Sequence, residues 1–291
     1  MPGETADSAG YDFCLLLRFF MFRTRLISGI ILVAIALAVI IPGNEVLLIS
    51  TCIISLIGLF EFYRVLGIEK ANLGIIGYIF TILYYLQLEF DFLKKAHNTA
   101  LFIIFMIVLL IFYVISYPKF NSEKAFGAFF GFFYVAVMLS FIYLTRQMPH
   151  GEYLVWLIFL CSWGCDTCAY CVGKLFGKHK MTPVLSPHKS VEGGIGGVVG
   201  AIILTFIYLM VLQSRMHIRT LDVVLLSLSA GVGAVISMFG DLAASAIKRN
   251  YEIKDYGKII PGHGGIMDRF DSVIITAPII YYLATFVLER M

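Results

Sequence analysis

The residues with the most chemistry in them are four aspartates set among apolar neighbours. Asp241 lies in MFGDLAASAIKR and Asp166 in SWGCDTCAY, while Asp268 and Asp271 stand three apart at the head of another apolar run. An ionised carboxylate inside a bilayer costs about 2.5–3.5 kcal/mol on insertion scales, so an acid in such a place marks function by default. Blander roles exist. Asp241 and Asp166 can pair with a lysine or cap a neighbouring helix, and Asp268 and Asp271 can stabilise a helix N-terminus through its dipole. A spacing of three puts those last two on one helix face. Carboxylates that converge repel one another unless a cation neutralises them, and hard oxygen ligands suit Mg2+, which also takes substrate phosphates.

Cations accompany the acids. The segment SAIKRNYEIKDYGKIIPGHGGIMDRFDS, from Ser245 to Ser272, holds Lys248, Arg249, Lys254, Lys258, His263 and Arg269. Its PGHGG turn lets the backbone bend sharply and offer amides to an anion, and His263 is placed to bond a phosphate or a leaving group. Lysine and arginine at a membrane boundary also serve as topology signals or headgroup contacts. A second segment, GKLFGKHKMTPVLSPHKSVEGG, adds Lys174, Lys178, His179, Lys180, Ser186, His188 and Lys189. Ser190 is a candidate helix cap with Glu192 close behind. The GGIGGVVG that follows misses the GxGxxG spacing of a dinucleotide fingerprint; its glycines four apart fit close helix packing in membranes. Two cationic loops above a buried acid cluster suit phosphoryl or nucleotidyl transfer to a lipid.

The elements that must hold these groups are transmembrane helices. The 291 residues are 60% hydrophobic and 14% charged, against about a quarter charged in soluble domains. Several apolar runs reach the roughly 20 residues that span a hydrocarbon core. The expected fold is all-α: a polytopic membrane protein of about nine helices near 26–42, 45–63, 72–88, 99–117, 125–145, 152–172, 191–213, 220–246 and 272–289, with long loops at 173–190 and 247–271. Lys and Arg counted on alternate sides divide sixteen to six, which places the N-terminus and both long loops in the cytoplasm. That skew leans on the long loops themselves. A net charge of +3 gives no global field for nucleic acid. Cys161, Cys165, Cys168 and Cys171 form one helical stripe, read as small packing residues rather than a metal site. Residues 1–20 make a poor signal peptide and read as an extension ahead of a true start at Met21, or as a loosely ordered tail. Residues 21–291 then form a single transmembrane domain.

The pattern Ser245-x-Ile247-Lys248-Arg249-x4-Lys254-Asp255-x-Gly257-x2-Ile260-Pro261-x-His263-Gly264-Gly265-Ile266-x-Asp268-Arg269-x-Asp271 resembles the signature of phosphatidate cytidylyltransferases, or CDP-diacylglycerol synthases. The stretch DTCAYCVGKLFGKHKMTPVLSPHKSVEGG is similar to the family's second conserved region, and RTRL at Arg23 to its start. His188 stands where members usually carry lysine, and Val191 where they carry tryptophan. The resemblance implies transfer of the cytidylyl group from CTP to phosphatidic acid, in a multi-pass cell-membrane protein whose active site faces the cytoplasm. It also implies a homodimer and a Mg2+-dependent site, with or without a second cation. Asp241, Asp268 and Asp271 would hold metal, and Asp166 would add a ligand or support one. The Lys and His residues of both loops would hold the triphosphate. A secondary transporter also uses intramembrane acids, yet more often shows a repeat between halves, and none is visible here. A CTP-using polyprenol kinase would share the nucleotide loops but lack the full signature.

Overall fold

The computed structural model describes residues 27–93, 98–262 and 264–290. Eleven α-helices and one small hairpin follow in order. The helices are α1 (Ile27–Ile40), α2 (Asn44–Val65), α3 (Asn72–Phe90), α4 (Asn98–Ile115), α5 (Ser122–Gly131), α6 (Met138–Arg146), α7 (Gly151–Phe159), α8 (Cys165–Phe176), α9 (Val191–Met216), α10 (Thr220–Asn250) and α11 (Met267–Leu288). Strands β1 (Lys180–Thr182) and β2 (Ser186–Ser190) pair antiparallel between α8 and α9.

Among the described residues, seven continuous helices are long and apolar enough to cross a membrane. Two of them are composite: α5 continues through a π-helical stretch, Phe132–Val137, into α6, and α7 through Leu160–Gly164 into α8. Ile27–Ile40 and Thr99–Ile115 are shorter apolar helices. The seven match seven of the nine expected spans in place. Isoleucine, leucine, valine and phenylalanine stand exposed along most of the helices, as lipid-facing surfaces require.

Two boundaries differ from the sequence reading in ways that matter for the site. α10 runs to Asn250, so Lys248 and Arg249 sit on its last turn rather than in a loop; cations there complement the helix dipole. α11 begins at Met267, so Asp268 and Asp271 are inside it. The connection between them shortens to residues 251–266.

α9 packs along α8 and α10, and α10 along α11. The α8–α9 contact is close because glycine faces the cysteine stripe. A Cβ on Gly197 would come within 2.9 Å of Cys165 Sγ, and one on Gly200 within 2.5 Å of Cys168 Sγ. The stripe's cysteines are free thiols; Cys161, Cys165 and Cys168 pack against glycines of α9 and α10, as the packing reading expects, while Cys171 is exposed. Both long connections lie at the same end of the bundle, since α9 and α10 traverse it between them.

Candidate active site

Two cavities open at that end. The first, of about 500 Å3, is walled by Asp166, Tyr170 and Lys174 of α8, His188 and Lys189 of β2, Gly194 of α9, and Met238 and Asp241 of α10. The second, of about 530 Å3, is walled by the connection before α11, including Lys254, Asp255, Lys258 and Gly264, and by Arg269. Arg269, on the wall of the second, lies within electrostatic reach of Asp166 on the wall of the first. Its carbonyl accepts from Trp163 Nε1 at 3.2 Å.

The floor between the cavities is acidic. Asp241 forms an ion pair with Lys189. Seven residues make almost two full turns of a helix, so Lys248, seven after Asp241, projects on the same side of α10. Its Nζ donates to Asp268 Oδ1 at 2.9 Å. Asp271 is buried, accepts from the Ser272 amide at 2.8 Å, and has Asp241, Lys248 and Asp166 within electrostatic range. All four predicted aspartates therefore meet at one end of the bundle. Asp166 lies two residues past the π-helical Leu160–Gly164, an irregularity that often marks functional sites and that no sequence pattern announced.

Asp268 is the most heavily engaged of the four. Besides Lys248, it accepts through Oδ2 from the amides of Tyr256 (2.8 Å) and Gly265 (2.9 Å). The sequence reading assigned the amides of the PGHGG turn to a bound anion. Instead, Gly264 exchanges hydrogen bonds with Ile260, and Gly265 serves Asp268. The turn does need its glycines: Gly262 and Gly264 have φ of 74° and 88°. Tyr256 fixes the other side of the connection, its hydroxyl donating to the Ala244 carbonyl at 3.1 Å. Burial pushes its phenol well above the ordinary range, with Tyr134 and Asp268 adding to the effect.

Of the cations expected from the upstream segment, Lys174, His188 and Lys189 reach the first cavity. His179 turns to Glu192, bonding Oε1 through Nδ1 at 2.6 Å, and the amides of Lys178 and His179 donate to the same carboxylate. Lys178 and Lys180 are exposed and Ser186 is half-buried on β2, none of them on the cavity wall. Ser190 caps α9 as expected, accepting from the Gly193 amide at 3.1 Å. Arg249 is exposed at the end of α10, and Lys254 lines the second cavity. His263 and residues 1–20 lie outside the described residues.

Two residues that the sequence reading passed over hold this end together. Glu61 and Arg64 of α2 reach the connection before α11. Glu61 Oε2 accepts from the Met267 amide at 2.9 Å, and Arg64 donates to the Tyr256 carbonyl. A glutamate within the apolar run LIGLFEFYRV was the available signal, by the same cost argument that singled out the aspartates.

Among the described residues no three of His, Cys, Asp and Glu converge as a ready-made metal cage. Mg2+ seldom needs one: it is commonly held by one or two carboxylates together with substrate phosphates and water. Asp166 and Asp241 on one cavity wall meet that requirement, and Asp268 Oδ1, with one donor, keeps a lone pair.

Residues 23–287 match the model of the Cytidylyltransferase family. The chain is 32% identical over 263 residues to the phosphatidate cytidylyltransferase of Staphylococcus haemolyticus, covering 90% of this chain and 98% of that one. It is also 32% identical over 270 residues to the phosphatidate cytidylyltransferase of Bacillus subtilis, covering 90% and 97%. The Staphylococcus aureus phosphatidate cytidylyltransferase is 32% identical over 265 residues, with coverage of 90% and 98%. With the match running through the whole bundle and both cavities, the chain belongs to the cytidylyltransferase family.

Proposed function

We propose that this protein transfers the cytidylyl group of CTP to phosphatidic acid, giving CDP-diacylglycerol and pyrophosphate. The observation that carries the reading is the meeting of two basic cavities over four aspartates at one end of an apolar bundle. Relatives named phosphatidate cytidylyltransferase, aligned over nearly their full length, supply the substrate class.

In the reaction, a phosphate oxygen of the lipid forms a bond to the α-phosphorus of CTP. The bond from that phosphorus to the oxygen bridging to the β-phosphate breaks, and pyrophosphate leaves. The attacking phosphate is already anionic at neutral pH, so a strong base is not needed. What the protein must supply is alignment and charge neutralisation. Lys174, His188 and Lys189 on the first cavity wall, and Lys254, Lys258 and Arg269 on the second, offset the triphosphate and lipid charges. Lys248 stands between, fixed by Asp268. Asp166 and Asp241, with Asp268 and Asp271 beside them, are the residues that would hold Mg2+. A bound Mg2+ would supply charge neutralisation on the phosphate oxygens in transit. Arg249, at the exposed helix end, draws anions toward the site, and His263 is assigned to the leaving phosphates.

The same reading makes Ile27–Ile40 and Thr99–Ile115 membrane segments, for nine in all. It puts the N-terminus and the active site on the cytoplasmic side, where CTP is, and pairs two copies as a homodimer. The test of function is pyrophosphate release by the purified protein in detergent micelles. Release that requires phosphatidic acid together with CTP supports the assignment; release indifferent to the lipid refutes it.

A further inference from the structure

We propose that Glu61, seconded by Arg64 one turn on, is the positioning residue of the active-site connection, holding it at Tyr256 and at its exit into α11 from a helix that contributes nothing to either cavity wall. The inference rests on the reading of that connection as part of the transferase site.

Glu61 is buried on α2, 1% exposed, at a cost that only a specific task would offset. Its Oε2 takes the Met267 amide at 2.9 Å, the first residue of α11, with the Ile266 amide alongside. These are orphan donors of a helix start, and a carboxylate from another helix satisfies them where no local residue caps α11. Arg64, three residues on and therefore on the same face, donates to the carbonyl of Tyr256. One turn of α2 thus grips the connection at two points: the Tyr256 carbonyl within it and the Met267 amide at its exit. Asp268 holds the same two stretches from inside, through the amides of Tyr256 and Gly265. α2 and Asp268 together define the geometry in which Lys248, Asp268 and Asp271 are presented.

Two signature glycines take their reason from this clamp. A Cβ built on Gly257 or on Gly265 would collide with the Glu61 carboxyl group. The carboxyl fills the space between the two backbone segments, and any larger residue there would displace the Glu61 carboxyl group or the connection it holds.

The role is steric and hydrogen-bonding, so it does not require the charge to act on substrate. Glu61 Oε1 finds no hydrogen-bond partner among the described residues, so an amide nitrogen in its place forfeits nothing there. Glu61→Gln is expected to keep kcat within about threefold of wild type, a difference below one kcal/mol. Glu61→Ala removes both filler and acceptor, and is expected to lower kcat by about 10²-fold, the scale of a 1 Å misplacement, with KM for CTP changed far less.

Hydrogen exchange supplies a readout independent of turnover. The amides of Tyr256, Gly265 and Met267 should exchange faster in Glu61→Ala and at the wild-type rate in Glu61→Gln. If Glu61→Ala fails to accumulate in membranes, Glu61→Gln decides: wild-type kcat and exchange support the clamp, and loss of kcat overturns it. A Glu61→Gln as impaired as Glu61→Ala makes the charge itself an agent and overturns the proposal. So does a Glu61→Ala with wild-type kcat and exchange. Wild-type protein without lipid-dependent pyrophosphate release would sink the functional reading instead, while exchange would still judge the clamp.

Discussion

Asp268→Asn tests how much of the site depends on one charge. The substitution conserves shape, but the asparagine has one acceptor where the aspartate has two. Asp268 serves three donors: Lys248 Nζ at 2.9 Å on Oδ1, and the Tyr256 and Gly265 amides at 2.8 and 2.9 Å on Oδ2. If the amide oxygen stays with the backbone donors, the NH2 group faces the Lys248 ammonium. If it turns to Lys248, two backbone amides lose their acceptor. The side chains of the pair are 14% and 2% exposed, so water restores little. Losing one hydrogen bond to a charged group costs about 1.5–3 kcal/mol, and orphaning one member of a buried pair about 3–5 kcal/mol. Taking the second range, and letting it fall on the catalytic arrangement, kcat drops by roughly 10² to nearly 10⁴-fold. Adding Lys248→Met removes the orphaned charge. The double variant should accumulate better in membranes than Asp268→Asn, yet remain as inactive. The assay is pyrophosphate release in micelles at saturating CTP and Mg2+. An Asp268→Asn enzyme within about threefold of wild-type kcat, well under one factor of ten, would refute the reasoning.

Asp241→Asn should abolish nearly all turnover while the protein still inserts, since Asp241 pairs with Lys189 at the cavity and is not needed to form α10; near-normal turnover at saturating Mg2+ would contradict this. Arg249→Ala should raise KM for CTP and leave kcat alone, with an effect that fades as salt shortens screening to about 8–10 Å; a salt-independent fall in kcat would give Arg249 a direct part. Single cysteines placed at Lys178 and Lys258, on a background cleared of native cysteines, should resist impermeant reagents in intact cells, and their modification would reverse the topology. Gly200→Val should destabilise the α8–α9 contact by about 1–3 kcal/mol, as overpacking does, seen as a lower detergent melting temperature; an unchanged melt would remove the cysteine stripe from the packing account.

The helices at the core of the site were legible because long apolar runs interrupted by charged residues admit little else. The convergence of Asp241, Asp268 and Asp271 was legible for a related reason: acids in apolar runs need a purpose. Asp166 was marked by the same cost, but its place beside them came only from the resemblance. Their partners were not. Lys248 was read as a loop cation because nothing local says that α10 outlasts its apolar stretch by a turn. The early start of α11 depends on a carboxylate about 200 residues upstream in sequence, 206 positions in the Met267–Glu61 bond. Loop chemistry was read one residue at a time, so the glycine amides were assigned to a ligand when Gly264 pairs with Ile260 and Gly265 serves Asp268. His179 looked like its neighbour His188, but the hairpin turns one toward Glu192 and the other toward the cavity.

The central claim is that the α-phosphorus of CTP, with its nucleoside, goes to the lipid. CTP labelled with ³²P at the α-position, and separately at the γ-position, distinguishes this from every phosphoryl transfer. Incubated with phosphatidic acid and the purified protein, α-label should move into the lipid extract and γ-label should leave as pyrophosphate. Lipid carrying the γ-label would mean a kinase reaction and contradict the account.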